Sequence, residues 1–278
     1  MRIAPKHTER AAVAIMWILA SVMMGVLVFI IAYVLAHGLP HVTWTFLTAS
    51  PESMGREGGI LPMIVGTLWI IGLAVALAAP IGVATAVYLT EYTREGRLTD
   101  VIRFGSDCLA GIPSIIFGLF GLVLFGIMLG LGFSIISGAL TVALMVLPTI
   151  IRTSEEAIRA VPRAYRDVSY GLGSTRWQMV TRVVLKSALP GIATGIVLAI
   201  GRTISETAAL MFTAGSALGM PHSIFDSSRT LALHFYILAL EGISMSKAYA
   251  TAAVLVLAIL VINLSAYALM RRFVARVV

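Results

Sequence analysis

The feature that most constrains the fold of this chain is a series of long stretches without a single Asp, Glu, Lys or Arg. Residues 11–51, 58–90 and 248–270 are uncharged, and residues 108–151 form an uncharged interval about twice as long as one membrane span requires. A hydrocarbon core of about 30 Å is crossed by about 20 helical residues. Each stretch is therefore predicted to contain at least one transmembrane helix.

The composition agrees with this reading. Hydrophobic residues make up 59% of the 278 residues and charged residues only 12%, whereas a soluble domain has roughly 25% charged residues. The mean hydropathy is +0.98. These values exclude an ordinary soluble enzyme or binding domain and predict an all-α integral membrane protein.

Six spans are predicted. The interval 108–151 is expected to hold two helices joined by the glycine-containing sequence LGLGFS. Residues 187–225 form a further apolar interval, which is the predicted fifth span. The first three uncharged stretches supply four helices before it, and residues 248–270 supply the sixth. Pro113 and Ser114, near the start of the third span, are expected either to break that helix or to kink it.

Lys and Arg are distributed unevenly along the chain. Sixteen of the 20 basic residues lie at the two termini, after the second span or after the fourth span. Short loops rich in Lys and Arg stay in the cytoplasm, so both termini are predicted to be cytoplasmic. This bias accounts for the net charge of +7 without a nucleic-acid partner.

Arg202 and Glu206 interrupt the apolar fifth span, in the sequence AIGRTISETAAL. A charge at the bilayer centre costs at least about 2.5 to 3.5 kcal/mol on insertion scales, so such residues are functional candidates. Their i,i+4 spacing predicts a compensating pair on one helix face. The pair either fixes helix packing or lines a translocation pathway, where the guanidinium would bind an oxyanion bidentately beside the hydroxyls of Thr203, Ser205 and Thr207.

The cytoplasmic segment 152–186 is amphipathic. Ile158, Val161, Tyr165, Val168 and Leu172 recur at spacings of three and four, with charged residues between the first four of them. This periodicity predicts a short helix across the membrane face. The helix is expected either to rest on anionic lipid or to place its apolar face in the groove of a partner protein.

Local signals predict how this segment is divided. Pro162 is expected to separate two helices. Gly171 and Gly173 permit a sharp turn, and Thr175 with Gln178 is expected to form a capping box for the helix that leads into the fifth span.

The sequence contains no recognisable motif for metal binding or for nucleotide hydrolysis. The five histidines have no metal-binding spacing, and no lysine stands in a phosphate-binding P-loop. We expect no catalytic residue, no metal and no cofactor in this chain. If ATP drives its activity, another chain must hydrolyse the nucleotide.

The cytoplasmic segment resembles the coupling loop of ABC importer permeases. Asp167, Val168 and Ser169 stand where that family has Glu-Ala-Ala, and Gly173 stands where the family pattern has a glycine. The sequence departs from the pattern at Lys186, which replaces a proline.

Two further stretches narrow the resemblance. LAGIPSIIFGLFG at residues 109–121 and LPGIATGIVLAIGRTISETAALMFTAG at residues 189–215 are similar to the phosphate ABC importer permeases of the PstA type. The similarity extends from about residue 60 to the C-terminus.

The resemblance implies a type I ABC importer (MetI-like) permease fold in a bacterial or archaeal cell (inner) membrane. It implies phosphate import with a PstC-type permease, a PstB-type ATPase dimer that uses ATP and Mg, and an external PstS-type binding protein. The chain then divides into residues 1–59, with the first helix and an external loop, and a five-helix core at residues 60–278. The residues expected to couple the chain to the ATPase are Ile158, Val161, Tyr165, Asp167, Val168 and Gly173.

Two alternatives stay open. An arginine and hydroxyls do not specify phosphorus, so a permease for molybdate, sulfate or a phosphonate fits the same residues. A proton-coupled secondary transporter that uses Glu206 would need no ATPase, but it leaves segment 152–186 unexplained.

Overall fold

The computed structural model describes residues 5–94 and 96–277, and these residues are almost entirely helical. A short hairpin of β1 (Pro51–Glu52) and β2 (Glu57–Gly58) lies between α2 and α3. The helices are α1 (Pro5–Gly38), α2 (Trp44–Thr48), α3 (Leu61–Val87), α4 (Arg97–Gly111), α5 (Ser114–Gly121), α6 (Ile135–Arg159), α7 (Arg163–Gly171), α8 (Arg176–Met179), α9 (Leu185–Ile204), α10 (Ala208–Thr213), α11 (Leu231–Leu240) and α12 (Met245–Val277).

Short π-helical segments lengthen three of these helices. Tyr88–Tyr92 continues α3, Leu122–Met128 continues α5, and Val180–Val184 joins α8 to α9. Five helices or continuous helix runs are then long and apolar enough to cross a bilayer: α1, α3, α6, α8 to α9, and α12. A sixth crossing comes from a bent pair of helices, which agrees with the predicted count of six.

The bent pair is α4 and α5, which meet at 102°. Pro113 is extended, with φ −59° and ψ 141°, and lacks the N–H that would continue a helix. The predicted break at Pro113 is thus confirmed. The apolar part, residues 114–128, spans only about 22 Å at 1.5 Å per residue, so the third crossing is shorter than a standard span.

The core of the protein lies between α3, α6 and α9. Val142, Val146 and Ile150 of α6 are buried against Ile70 and Ala74 of α3. Small residues let these helices approach closely: a Cβ on Gly82 would lie 2.7 Å from Ile150 Cγ2, and one on Gly191 would lie 2.5 Å from Ala157 Cβ.

The first helix lies at the outside of this core. Gly38, at the end of α1, touches the backbone of Tyr249 near the start of α12, and the rings of Tyr33 and Tyr249 lie 6.1 Å apart. None of the apolar span of α1 is buried. Because the end of α1 meets the start of α12, the two helices run in opposite directions, and Pro5 and Val277 lie on one side, as the charge distribution predicts.

Candidate functional site

The predicted fifth span is interrupted in its middle. Helix α9 ends at Ile204, and Ser205 to Thr207 are not helical before α10 begins at Ala208. Ser205 Oγ donates to the Arg202 carbonyl at 3.1 Å, and the Glu206 N–H donates to the Thr203 carbonyl at 3.2 Å. We refer to residues 205–207 as the α9–α10 break.

Glu206 acts locally at this break. Its Oε1 accepts a hydrogen bond from the Ala209 N–H at 3.2 Å, so the carboxylate satisfies one of the free amides at the start of α10. Thr207 Oγ1 donates to the Ser205 carbonyl at 3.4 Å. Glu206 and Thr207 are half-buried, whereas Ser205 is exposed.

The prediction that Arg202 and Glu206 form an i,i+4 pair on one helix face is wrong. The helix ends between them, and no carboxylate of the described residues lies within 4.0 Å of the exposed Arg202 guanidinium. Thr203 also faces the other way: it is 2% exposed, and its hydroxyl donates to the Ala199 carbonyl at 2.8 Å. The break therefore presents Arg202 and Ser205 outward and keeps Thr203 inside.

The broken fifth span packs on the broken third span. A Cβ on Gly118 of α5 would lie 2.9 Å from Ala209 Cα, and one on Gly121 would lie 2.9 Å from Thr213 Cγ2. The two interrupted crossings thus lie side by side. Non-helical backbone at membrane depth is tolerated only where it is buried in protein or lines a water-filled cavity, so the α9–α10 break is a candidate for a translocation pathway.

The cytoplasmic segment contains the short helix α7, most of whose residues are exposed. Pro162 precedes α7, Gly173 follows it with φ +79°, and Thr175 and Gln178 form the predicted capping box. All three local predictions are confirmed. The helix ends follow these signals, since α6 ends at Arg159, shortly before Pro162, and the helical run into the fifth span begins at Arg176, directly after Thr175.

The predicted apolar face does not form one surface. Ile158 is 0% and Val161 5% exposed, and both pack in a core cluster with Met179 and Val180. They lie before Pro162 and cannot contact a partner directly. The prediction that they share one exposed docking face with Tyr165 and Val168 is therefore wrong, while their role in coupling stays a prediction.

The exposed apolar face at α7 is formed by Tyr165 and Val168 of the helix and by Leu172 directly after its end, and these side chains are 52%, 63% and 83% exposed. Their i, i+3, i+7 spacing puts them on one side of the helix. Asp167 is exposed as well, on the side of a cavity described below. We call Tyr165, Val168 and Leu172 the α7 face.

A buried ion pair fixes α7 to the end of the second span, and no pattern in the sequence indicates it. Arg166 Nη2 lies 2.7 Å from Glu91 Oε1, and the two side chains are 18% and 7% exposed. Arg166 also donates to the Val161 carbonyl at 2.7 Å and to the Ile158 carbonyl at 3.0 Å. The guanidinium therefore joins three elements, α3, α6 and α7.

A second charged cluster lies on the same side of the membrane. Glu155 is contacted by Arg103 at 2.8 Å and by Arg159 at 3.1 Å. Arg103 belongs to α4, so this cluster holds α4 against α6. The cytoplasmic ends of the helices are thus tied together by charge as well as by apolar packing.

The external side has a buried basic pair that the sequence analysis also missed. Arg229 is 5% exposed and donates to the Ser216 carbonyl at 3.0 Å and to His234 Nδ1 at 3.5 Å. Burial, together with the Arg229 charge, lowers the pKa of His234 to about 4. The histidine is consequently neutral at physiological pH and accepts the hydrogen bond that holds the loop before α11.

Comparison with protein families finds one match. Residues 78–278 match the family of binding-protein-dependent transport system inner membrane components. The match starts inside α3, so the predicted division of the chain at residue 60 stays a prediction.

Several relatives are similar over most of their length. The chain is 34% identical over 277 residues to the probable ABC transporter permease protein YqgI of Bacillus subtilis (strain 168), covering 94% of both chains. It is 36% identical over 256 residues to the phosphate transport system permease protein PstA 1 of Mycobacterium tuberculosis (strain H37Rv), covering 90% of this chain and 82% of the relative. It is 32% identical over 248 residues to the PstA protein of Haemophilus influenzae, covering 88% of both.

Solved structures share the fold. A bacterial alginate ABC transporter in complex with its alginate pentasaccharide-bound periplasmic protein aligns with a TM-score of 0.68 at 18% identity, over 97% of both chains. An inward-facing MetNI methionine ABC transporter aligns with a TM-score of 0.63 at 19% identity, over 79% of this chain and 96% of that one. At these identities the likeness shows the fold, and the predicted type I importer permease fold is confirmed.

Proposed function

The chain belongs to the binding-protein-dependent transport system inner membrane components, and from that premise we propose that it is a permease subunit of an ATP-driven importer of inorganic phosphate. The observation that carries the choice of phosphate is the similarity, at 32% identity or more and over most of the chain, to permeases named for phosphate transport. As an inner membrane component with six crossings, the chain would form one half of the pathway beside a second permease.

The α9–α10 break supports this proposal chemically. Arg202 is exposed on the chain and has a planar fork of donors that matches two oxygens of a phosphate. Since Glu206 is engaged with the Ala209 amide, it leaves the guanidinium free to attract an anion. The exposed Ser205 hydroxyl lies beside it; its one hydrogen is donated to the Arg202 carbonyl, so the hydroxyl would have to rotate to donate to the same ligand.

The α7 face supports an ATPase partner. Three large apolar side chains on a cytoplasmic helix, held in place by the Arg166–Glu91 pair, have the geometry of a helix that docks in a groove. An ATPase dimer that binds ATP and Mg on the cytoplasmic side, and a phosphate-binding protein outside, would complete the importer.

The direct test is reconstitution of the chain in liposomes with the second permease, the ATPase and the binding protein. We expect ATP-dependent phosphate uptake, and ATPase activity that rises when the phosphate-loaded binding protein is added. Uptake of molybdate, sulfate or a phosphonate in place of phosphate would assign the importer to another oxyanion. Uptake by the chain alone, driven by a proton gradient without nucleotide, would instead assign a secondary transporter.

Val168→Asp tests the docking role of the α7 face. A carboxylate in a docked apolar interface loses its water without gaining a partner, which costs several kcal/mol, so we expect uptake to fall at least tenfold. ATPase activity and membrane level should persist, because Val168 is exposed in the chain and not part of its core. Val168→Thr, similar in size and uncharged, is the control. Normal uptake by Val168→Asp would restore the interpretation that α7 rests on lipid.

A further inference from the structure

An apolar groove of about 560 Å³ runs along the outside of the protein at the cytoplasmic half of the membrane. One wall comes from α3 and its π-helical extension, from Pro80 to Tyr92, and the other from the run between Trp177 and Leu185. Pro80 and Tyr92 are about 18 Å apart along the helix at 1.5 Å per residue. The groove therefore reaches from the membrane surface well into the hydrocarbon region.

Aromatic residues and a cation mark the cytoplasmic mouth of this groove. Tyr88, Tyr92 and Trp177 are 50%, 38% and 67% exposed, and such side chains collect at the level of the lipid headgroups. The Arg176 guanidinium carbon lies 5.1 Å from the Tyr92 ring centroid, within the range of a cation–π contact.

Arg176 also lines a second, basic cavity of about 580 Å³ on the far side of Tyr92. Among the residues that the structure describes, the charges lining this cavity are five arginines against Glu91 and Asp167. Glu155 contacts two of these arginines, Arg103 and Arg159, and when it is included the arginines still outnumber the carboxylates. A positively charged cavity thus adjoins an apolar groove, and Arg176 with Tyr92 forms the boundary between them.

We propose that the groove is a binding site for an anionic phospholipid of the cytoplasmic leaflet, with one acyl chain between α3 and the α8–α9 run and the headgroup phosphate at Arg176. An apolar groove within the membrane accepts only a hydrocarbon chain or another helix. The adjoining positive charge at headgroup level favours a lipid over another helix, since basic pockets beside membrane helices bind anionic headgroups. The proposal does not depend on which anion the protein transports.

The site touches the machinery described above. Tyr92, which lines the groove, directly follows Glu91 of the Glu91–Arg166 pair, and Val180, on the opposite wall, packs with Ile158 in the same apolar cluster. A bound lipid would therefore rest against the elements that hold α7.

The test uses the full chain assembled with its second permease and ATPase, purified in detergent, and counts bound lipid by native mass spectrometry. Phosphatidylglycerol and phosphatidylcholine, which differ in headgroup charge, are the probes. Arg176→Gln is expected to weaken phosphatidylglycerol binding about fivefold and to leave phosphatidylcholine binding unchanged. Ala84→Trp, which fills the groove, is expected to weaken the binding of both lipids.

Matched controls lie on the same helices outside the groove. Arg182→Gln removes an exposed cation that lines a different cavity, and Ala76→Trp enlarges an exposed residue of α3; both should bind lipid as the wild type does. Unchanged phosphatidylglycerol binding by Arg176→Gln, or unchanged lipid binding by Ala84→Trp, would overturn the proposal. Loss of the second permease from the Ala84→Trp complex would also overturn it, because the groove would then belong to that subunit.

Discussion

Arg166→Met is expected to destabilise the transporter by about 3 to 5 kcal/mol and to abolish coupled uptake. The change leaves Glu91, 7% exposed, without its cation. It also removes the donors to the Val161 and Ile158 carbonyls at the end of α6. Thermal unfolding of the assembled complex in detergent, and phosphate transported per ATP hydrolysed, are the two measurements.

A double-mutant cycle separates the ion pair from the carbonyl contacts. Glu91→Gln keeps an oxygen that accepts from Arg166 and should cost less than Arg166→Met. The double variant should be more stable than Arg166→Met alone, because no uncompensated charge stays buried. Arg166→Lys keeps the charge, but a lysine cannot reach Glu91 and both carbonyls at once. Its uptake should therefore lie between that of the wild type and that of Arg166→Met.

The control pair is Arg152 and Asp107, also on the cytoplasmic side. Arg152 Nη1 lies 3.1 Å from Asp107 Oδ1, and the two side chains are 68% and 61% exposed. Arg152→Met is expected to cost at most about 1 kcal/mol. If Arg166→Met lowers stability but leaves the ratio of phosphate to ATP unchanged, then the pair only stabilises the fold and does not hold α7 for coupling.

Arg202→Gln is expected to reduce uptake between about tenfold and a hundredfold, without loss of the protein from the membrane. Hydrogen bonds to a charged group contribute about 1.5 to 3 kcal/mol, and this guanidinium is the exposed cation at the α9–α10 break. Arg202→Lys retains the charge without the bidentate fork and should recover part of the rate. The measurement is phosphate uptake by the reconstituted complex at matched protein level.

The structure changes what is expected of the neighbouring residues. Glu206→Gln should keep nearly normal uptake, since an amide oxygen can still accept from the Ala209 N–H. Exchanging the two charges, Arg202→Glu with Glu206→Arg, should restore nothing, because the residues are not paired. Thr203→Val, a buried control, should leave uptake unchanged. Recovery of uptake by the charge exchange would refute the pathway role of Arg202 and restore the paired interpretation.

The membrane spans could be predicted because burial in lipid leaves a direct trace, the absence of charge over some 20 residues. The break before α5 was predictable for a similar reason, since Pro113 cannot donate a backbone hydrogen bond. The α9–α10 break has no proline or glycine at residues 202–207. Its only local signal is the repetition of Ser and Thr, which compete with the helix for backbone hydrogen bonds, and that signal is weak.

The charged contacts show the limit of a single sequence. Glu91 and Arg166 are 75 residues apart, and nothing in either neighbourhood identifies the other as its partner. The periodicity of apolar residues likewise placed Ile158 and Val161 on one surface with the residues of the α7 face, although both are buried. The same spacing of apolar residues describes a core contact and a docking surface, and only the turn at Pro162 separates them.

The contact between α1 and α12 sets an order of events during synthesis. Tyr249 follows Gly38 by roughly 210 residues, so at about 5 to 20 residues per second the ribosome needs about 10 to 40 s to deliver the helix that α1 packs on. During that interval α1 has to reside in the bilayer as a single helix. Its apolar span is uncharged, and none of that span is buried even in the finished protein, so α1 can stay in the bilayer before it docks. Its docking is then among the last steps of biogenesis, although α1 is made well before α12.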